Sequence, residues 1–244
     1  SLFALCCIYS GNRHYNCIDL KGEFTMNENK GMTRRQFLKG ALAGAVGLAA
    51  DSFFGPSVLV PAKGEGEAAG VAAVAVNPFD FARRTVLLNN GIEMPVLGLG
   101  TFGLSNEQAE NSAYWALKAG HRLIDTASAY NNEAAVGRGI KRAIEEGIVT
   151  REEIFVTTKL WPMGGYNAGG IDAALEKLGL EYIDLLLLHQ PMGDYIGGYK
   201  AMEEAVAAGK LRAIGISNFS AAQIEEIMAV ATIKPAVQQV ETHL

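Results

Sequence analysis

Beyond residue 83 the chain repeats one hydropathy pattern: a short apolar run, a polar residue at its end, then a longer stretch in which apolar residues recur at helical spacing. The first two runs, 85–88 and 92–94, flank Asn89-Asn-Gly91 and predict a β-hairpin, after which Pro95 opens a strand over 96–100. Ser105 and Gln108 then have the spacing of a capping box, Ala109, Ala113, Ala116 and Leu117 share one helical face, and Gly120 stands just past the end. The unit recurs. A strand ending in Asp125 leads to a helix with Val136, Ile140, Ala143 and Ile144 on one side, stopping at Gly147. Strand 154–158 ends at Lys159, and the helix carrying Ile171, Ala174, Leu175 and Leu178 stops at Gly179. Strand 183–188 precedes His189, and Tyr199, Met202 and Val206 mark a helix closed by Gly209. Strand 211–216 precedes Ser217 and Asn218, a helix capped by Ser220 and Gln223 carries Ile224, Ile227 and Met228, and Pro235 introduces strand 236–240.

Alternating helices and short, continuously apolar strands predict a parallel sheet. Two architectures compete for it. A doubly wound sheet is suggested by Gly98-Leu-Gly100-Thr-Phe-Gly103, which fits G-x-G-x-x-G after a strand, with Asp125 about twenty residues later. The capping pattern starts the helix only at Ser105, however, beyond the glycine that such a fingerprint places in the first helical turn. A (β/α)8 barrel is favoured by the polar residues: Asp125, Lys159, His189 and Asn218 each follow a different strand, and in a barrel those carboxyl ends converge on one mouth. Such a barrel takes roughly 250 residues and eight strands. Residues 83–244 supply six strands after the hairpin, so the sequence predicts an incomplete barrel, truncated at its carboxyl end.

Composition narrows the function classes. About half of the 244 residues are apolar, the net charge is −5, and no arginine-rich run with interleaved aromatics occurs, which argues against a nucleic-acid partner. Cys6, Cys7 and Cys17 all precede the predicted folded body, leaving no disulfide framework or metal cluster there. Residues 1–31 show no helical or strand period and read as an upstream extension without ordered structure, with Met26 and Met32 as candidate starts. Met32-Thr-Arg-Arg-Gln-Phe-Leu-Lys39 and the Gly/Ala-rich run at 40–50 resemble a twin-arginine export signal, its apolar segment being too short to span a bilayer. A Pro/Gly/Ala/Glu-rich linker continues to residue 77, with cleavage expected near Ala62 or after Ala73-Val-Ala75. The expected organisation is therefore 1–31 extension, 32–77 signal and linker, and 78–244 partial barrel.

Asp125-Thr-Ala-Ser-Ala-Tyr130 is the centre of the chemistry: a strand delivers a carboxylate and the adjoining loop a phenol, and each can shift the other's ionisation. With it stand Met94-Pro-Val-Leu-Gly-Leu-Gly-Thr101, Thr158-Lys-Leu-Trp161, Leu186-Leu-Leu-His-Gln-Pro191, Gly215-Ile-Ser-Asn-Phe219 and Pro235-Ala-Val-Gln-Gln-Val-Glu241. These six segments, in this order and at these intervals, resemble the aldo-keto reductase family, and His189-Gln-Pro-Met-Gly-Asp194 is most similar to its bacterial branch of 2,5-diketo-gluconate reductases. The resemblance implies a catalytic set of Tyr130, Asp125, Lys159 and His189. Tyr130 would protonate the carbonyl oxygen as hydride arrives from a nicotinamide, with Lys159 stabilising the phenolate left behind. Asp125 would orient Lys159, and His189 would polarise the carbonyl.

The resemblance further implies that Thr101, Asp125, Ser217, Asn218 and Gln239 lie at the cofactor and that Trp161 and His189 meet the substrate, with no metal. Gln238 stands where the family usually has asparagine, and since side chains alternate, only one of Gln238 and Gln239 can face the mouth. The cofactor implied is NADPH, with NADH as the alternative, the substrate a small carbonyl compound, the protein a monomer, and its other partner the twin-arginine export machinery. Location follows the signal: exported to the periplasm or envelope if it is used, cytoplasmic otherwise. Two readings compete with the reductase, a nicotinamide-binding barrel or fragment without activity and the open-sheet dehydrogenase of the glycine fingerprint. An ion pair of Asp125 with Lys159 could also be structural, as could His189 at a strand end.

Overall fold

The computed structural model describes three strands within residues 6–26 and the chain over 79–80 and 82–240; the expected signal and linker at 32–77 lie outside the described residues. The three strands are β1 (Cys6–Ser10), β2 (His14–Ile18) and β3 (Phe24–Met26). A separate antiparallel sheet contains β4 (Phe79–Asp80), β5 (Thr85–Leu87) and β6 (Glu93–Pro95). The parallel strands follow: β7 (Gly98–Gly100), β8 (Leu123–Asp125), β9 (Phe155–Leu160), β10 (Ile183–Leu188), β11 (Leu211–Ser217) and β12 (Val237–Gln239). Between them lie α1 (Asn106–Lys118), α2 (Glu133–Glu145), α3 (Ala168–Leu178), α4 (Tyr195–Ala207) and α5 (Ala221–Val230).

Local signals and structure agree closely here. Ser105 with Gln108, and Ser220 with Gln223, close reciprocal capping boxes at the starts of α1 and α5. The hairpin forms as expected, with Val86 opposite Met94 and Gly91 supplying a φ of +82° in the turn. Pro95 belongs to β6 rather than opening the next strand: it pairs with Thr85, and parallel pairing begins only at Gly98.

Each parallel strand pairs with its neighbours in chain order, from β7 across to β12. A doubly wound sheet reverses direction at a switch point, whereas a barrel wall advances one strand at a time. The strand order therefore excludes the glycine-fingerprint reading, and the glycines explain themselves otherwise. A Cβ on Gly98 would lie 2.5 Å from Leu123 Cγ, so this glycine lets β7 and β8 pack closely. Gly103 sits in open space in the loop before α1.

Both faces of the wall are buried. Leu186 and Leu188 of β10 face the helices, while Leu185 and Leu187 pack inward with Leu123, Phe155 and Ala213. The hairpin's Val86, Leu88 and Met94 join that inner cluster. Asn89 Nδ2 donates to Pro235 O at 2.9 Å and Asn90 Nδ2 to Arg212 O at 3.1 Å, both at the amino ends of strands. The hairpin thus covers the end of the wall opposite the mouth. Asp184, fully buried near the same amino ends, accepts from Arg151 at 2.7 Å and Arg212 at 2.6 Å and belongs to this closed end.

Within the segment expected to lack ordered structure, the described residues form strands: β1 pairs antiparallel with β12, Cys6 opposite Gln239 and Ile8 opposite Val237, and β2 and β3 continue the sheet. A strand edge presents a row of unpaired N–H and C=O groups, and a segment without a marked face pattern can satisfy them. Periodicity carries no signal for that kind of pairing.

Two glycines of α2 bring its neighbours close. A Cβ on Gly137 would stand 2.3 Å from Leu178 O of α3, and one on Gly139 2.3 Å from Glu110 O of α1. Alanine would favour the helix by about 1 kcal/mol, but backbone atoms of a packed helix cannot move singly and overpacking costs roughly 1–3 kcal/mol. Gly137→Ala is expected to lose up to about 2 kcal/mol net, read as a lower urea midpoint at unchanged slope; a gain would show that α3 yields freely.

Candidate active site

β8 ends at Asp125, and the chain turns through a short 3-10 segment, Ser128–Tyr130, that carries the phenol back over the strand ends. Side-chain hydrogen bonds fasten this loop to its neighbours. Ser128 Oγ donates to Lys159 O at 2.9 Å, Thr126 Oγ1 donates to Asn132 Oδ1 at 3.0 Å, and Asn132 Nδ2 donates to Thr101 O at 2.9 Å. Asn132 is buried and ties the loops after β7 and β8 together. Sequence reading missed it because its role depends on two loops meeting; its place just after Tyr130 and before α2 was the available signal. Thr101 is completely buried, its hydroxyl donating to Asp125 O at 3.1 Å, so its side chain braces the end of β8.

Lys159 comes from β9 and is 1% exposed. Its Nζ donates to Asp125 Oδ1 at 2.5 Å, to Thr126 O at 2.9 Å and to Tyr130 Oη at 3.3 Å. Three of the four proposed catalytic residues therefore meet at one ammonium. Burial opposes its charge, but the attraction of Asp125, and then of Tyr130, outweighs that opposition and holds Lys159 above the ordinary lysine value. Tyr130 is also raised. Burial is the largest cause, Lys159 pulls the other way, and the Asp125 carboxylate adds to the rise. The phenol is thus a stable proton store at neutral pH, as a general acid must be, with its stabilising cation already in contact.

His189 follows β10, with its backbone N–H donating to Leu160 O at 3.1 Å. Its ring stands edge-on to Tyr130, centroids 5.7 Å apart, and to Trp161, 5.3 Å apart. Burial, reinforced by the charge of Lys159, lowers its pKa to about 4, so it is neutral at pH 7 and has one ring N–H to donate. Nδ1 is buried without a hydrogen-bond partner among the described residues. Because the folded-state pKa lies below the unfolded value of about 6.5, the unfolded chain binds the extra proton first as pH falls. Neutral His189 contributes stability that is fully present above about pH 6.5 and is lost as pH falls through about 4. The difference between urea stability curves of wild type and His189→Gln is expected to slope over that window and be flat above it; a flat difference throughout would place the imidazole in water.

Ser217, Asn218 and Gln239 form a contiguous patch at the ends of β11 and β12. Ser217 is the register partner of Gln239, and Asn218, with a φ of +65°, donates its backbone N–H to Gln239 O at 2.9 Å. Asn218 Nδ2 reaches His189 O and Ser217 Oγ, each at 3.1 Å. Gln238 and Gln239 do point to opposite sides: Gln238 Nε2 donates to Phe219 O at 2.8 Å, whereas Gln239 Nε2 reaches Asp125 Oδ2 at 3.0 Å. Asp125 thereby has a donor on each oxygen.

Other residues of the site had no sequence signal. Phe102, 69% exposed, lies with its ring centroid 5.0 Å from that of Tyr130. Behind Lys159, buried Glu133 accepts from Thr158 Oγ1 at 2.6 Å, and burial raises its pKa against the pull of that bond and of Lys177 and Lys159.

Residues 96–244 match the Aldo/keto reductase family. The chain is 42% identical over 190 residues to the NAD(P)H-dependent D-xylose reductase I,II of Candida tropicalis and 46% identical over 164 residues to the glyoxal reductase of Bacillus subtilis. In each case 65% of this chain and 58% of the relative are covered. The Bombyx mori aldo-keto reductase solved in complex with NADP superposes with a TM-score of 0.62 at 39% identity, covering 65% of this chain and 58% of that one. The chain thus spans about 58% of the length of the relatives it matches. Because the matched region takes in most of the chain and includes the strand ends that gather Asp125, Tyr130, Lys159 and His189, this chain belongs to the aldo/keto reductase family.

Proposed function

We propose that the full-length protein reduces aldehydes or ketones to alcohols with NADPH, and that Asp125, Tyr130, Lys159 and His189 form its proton-transfer half. The carrying observation is the contact of Lys159 Nζ with both Asp125 Oδ1, at 2.5 Å, and Tyr130 Oη, at 3.3 Å. The residues at the ends of β11 and β12 fit the nicotinamide end of the cofactor. Asn218 is exposed, Gln239 half-buried, and their amides and the Ser217 hydroxyl lie side by side next to Asp125, a donor and acceptor set suited to a carboxamide. Bound there, a dihydronicotinamide supplies a hydride.

The protein's own groups do the rest. A neutral His189 donates a hydrogen bond to the substrate carbonyl oxygen, making the carbon more electrophilic and fixing the reacting face. As hydride adds to that carbon, the C=O π pair moves to oxygen and takes the Tyr130 proton, giving the alcohol and a phenolate. Lys159 stabilises the phenolate, Asp125 keeps Lys159 charged and in place, and solvent returns the proton. Trp161, edge-on to His189, walls the substrate side. The sequence around 189–194 supports a place in the branch similar to the bacterial 2,5-diketo-gluconate reductases, a relation of descent that leaves the substrate to the walls of the mouth.

The paired arginines and apolar run at 32–50 support export through the twin-arginine route, with the protein acting outside the cytoplasm. Carbonyl-dependent loss of NADPH absorbance by the purified full-length protein tests the activity, and absence of turnover across a panel of aldehydes and ketones would reject it. Cell fractionation, with Arg34→Lys/Arg35→Lys as the comparison, tests export.

A further inference from the structure

The turn that carries Tyr130 is closed at its base by two side chains. Thr126, the residue after β8, donates its Oγ1 to Asn132 Oδ1 at 3.0 Å, so residues 126–132 form a ring with the phenol on it. Within the ring, Tyr130 ends the 3-10 segment and Asn131, with a φ of +55°, turns the chain back. Asn132 then fastens the ring to the loop after β7: its Nδ2 donates to Thr101 O at 2.9 Å and to Leu104 O at 3.2 Å. The buried amide thus uses both of its N–H donors and its carbonyl oxygen.

Asn132 is also the N-cap residue of α2, a position where an asparagine side chain ordinarily accepts from the first backbone N–H groups of its own helix. Here it makes no capping bond. A side chain kept for the stability of α2 would cap it, whereas this one turns to the Tyr130 ring. The ring is tied in turn to β9, the strand that supplies Lys159. Ser128 Oγ donates to Lys159 O at 2.9 Å, Lys159 Nζ donates to Thr126 O at 2.9 Å, and Thr158 Oγ1 donates to Glu133 at 2.6 Å. The 3.3 Å between Lys159 Nζ and Tyr130 Oη is therefore set by a frame in which Asn132 joins both ends of the turn to the loop after β7.

We infer that Asn132 is a positioning residue for the proton transfer: it holds the Tyr130 hydroxyl at the distance from Lys159 at which the phenolate is stabilised, acting through the turn rather than on the substrate. The inference rests on the reductase reading. In the full-length protein, Asn132→Ala is expected to lower kcat for benzaldehyde, or for whichever carbonyl compound wild type reduces, by about 10- to 100-fold, with KM for NADPH within about twofold. Thr126→Val keeps the side-chain shape and the carbonyl that accepts from Lys159 but deletes the ring-closing hydroxyl. It is expected to lower kcat by about three- to tenfold, and it carries the test if Asn132→Ala does not fold. A loss of folded protein alone would lower kcat by the same factor in any background, so each variant is also combined with Tyr130→Phe. There the effects should not multiply: the double variant is expected within about twofold of Tyr130→Phe alone, because the hydroxyl being positioned is gone. In a crystal structure of the variant, the separation of Tyr130 Oη from Lys159 Nζ is expected to exceed that in wild type. Wild-type kcat in the folded variant, a double variant slower by the full factor seen with Tyr130 present, or an unchanged separation overturns the inference and leaves the reductase reading standing. No turnover of any carbonyl compound by wild type overturns both.

Discussion

Tyr130→Phe is expected to lower kcat/KM for carbonyl reduction by about 100- to 10,000-fold, the range that general acid catalysis supplies. The loss should fall on kcat, because in the proposed mechanism the phenol acts when charge develops on the carbonyl oxygen and contributes little to holding the substrate. Cofactor affinity, read by fluorescence titration, should stay near the wild-type value, since the patch proposed for the carboxamide, at Ser217, Asn218 and Gln239, does not depend on the phenolic oxygen. Stability should change little. The hydroxyl's contact with Lys159 is 3.3 Å long, and the ring keeps its packing with Phe102 and His189. Wild-type-like turnover would remove Tyr130 from the chemistry and reduce the whole cluster to a structural arrangement.

Lys159→Met separates catalysis from stability at the other end of that contact. Removing one member of a buried ion pair leaves its partner uncompensated and costs roughly 3–5 kcal/mol. Here Asp125 would keep only the weaker support of the Gln239 amide. The double variant Asp125→Asn/Lys159→Met removes the orphaned charge and is expected to regain most of the lost stability in chemical denaturation. Activity should remain as low as in the single variant, because the phenolate on Tyr130 then has no cation beside it. Recovery of both would identify the pair as a structural bridge. Recovery of neither would mean that the wall does not close around a neutral pair.

Much of this site could be read along the chain, for reasons that are local. Capping boxes at Ser105 and Ser220 rest on residues three positions apart, and the turn at Gly91 on one residue's φ, so sequence and structure agree there. Asp125, Lys159 and His189 were legible as polar residues ending apolar strands, which in a wall wound in one direction must share an end. The glycine fingerprint misled for a related reason. Three glycines at the right spacing satisfy a motif equally well when one serves strand packing and another a loop.

What stayed hidden depends on distance through the fold. Gln239 lies 114 residues from Asp125, and only the curvature of the wall brings its amide to the second carboxylate oxygen. Asn132 joins two loops whose meeting no periodicity records. The proton affinity of Tyr130 is likewise a tertiary quantity. An adjacent ammonium alone suggests a lowered pKa, yet burial and the Asp125 charge together outweigh it.

By itself, then, the sequence determined the order of strands and helices, their caps, the parallel class of the sheet and the identity of the residues at its carboxyl ends, because these follow from side-chain period and from contacts a few residues long. Only the tertiary structure decided that the sheet winds in one direction, that the hairpin covers its amino end, that β1 lies along β12, and that Lys159 is charged, buried and shared between Asp125 and Tyr130. Those outcomes come from desolvation and from packing between segments far apart in the chain, and neither has a value until the chain has folded.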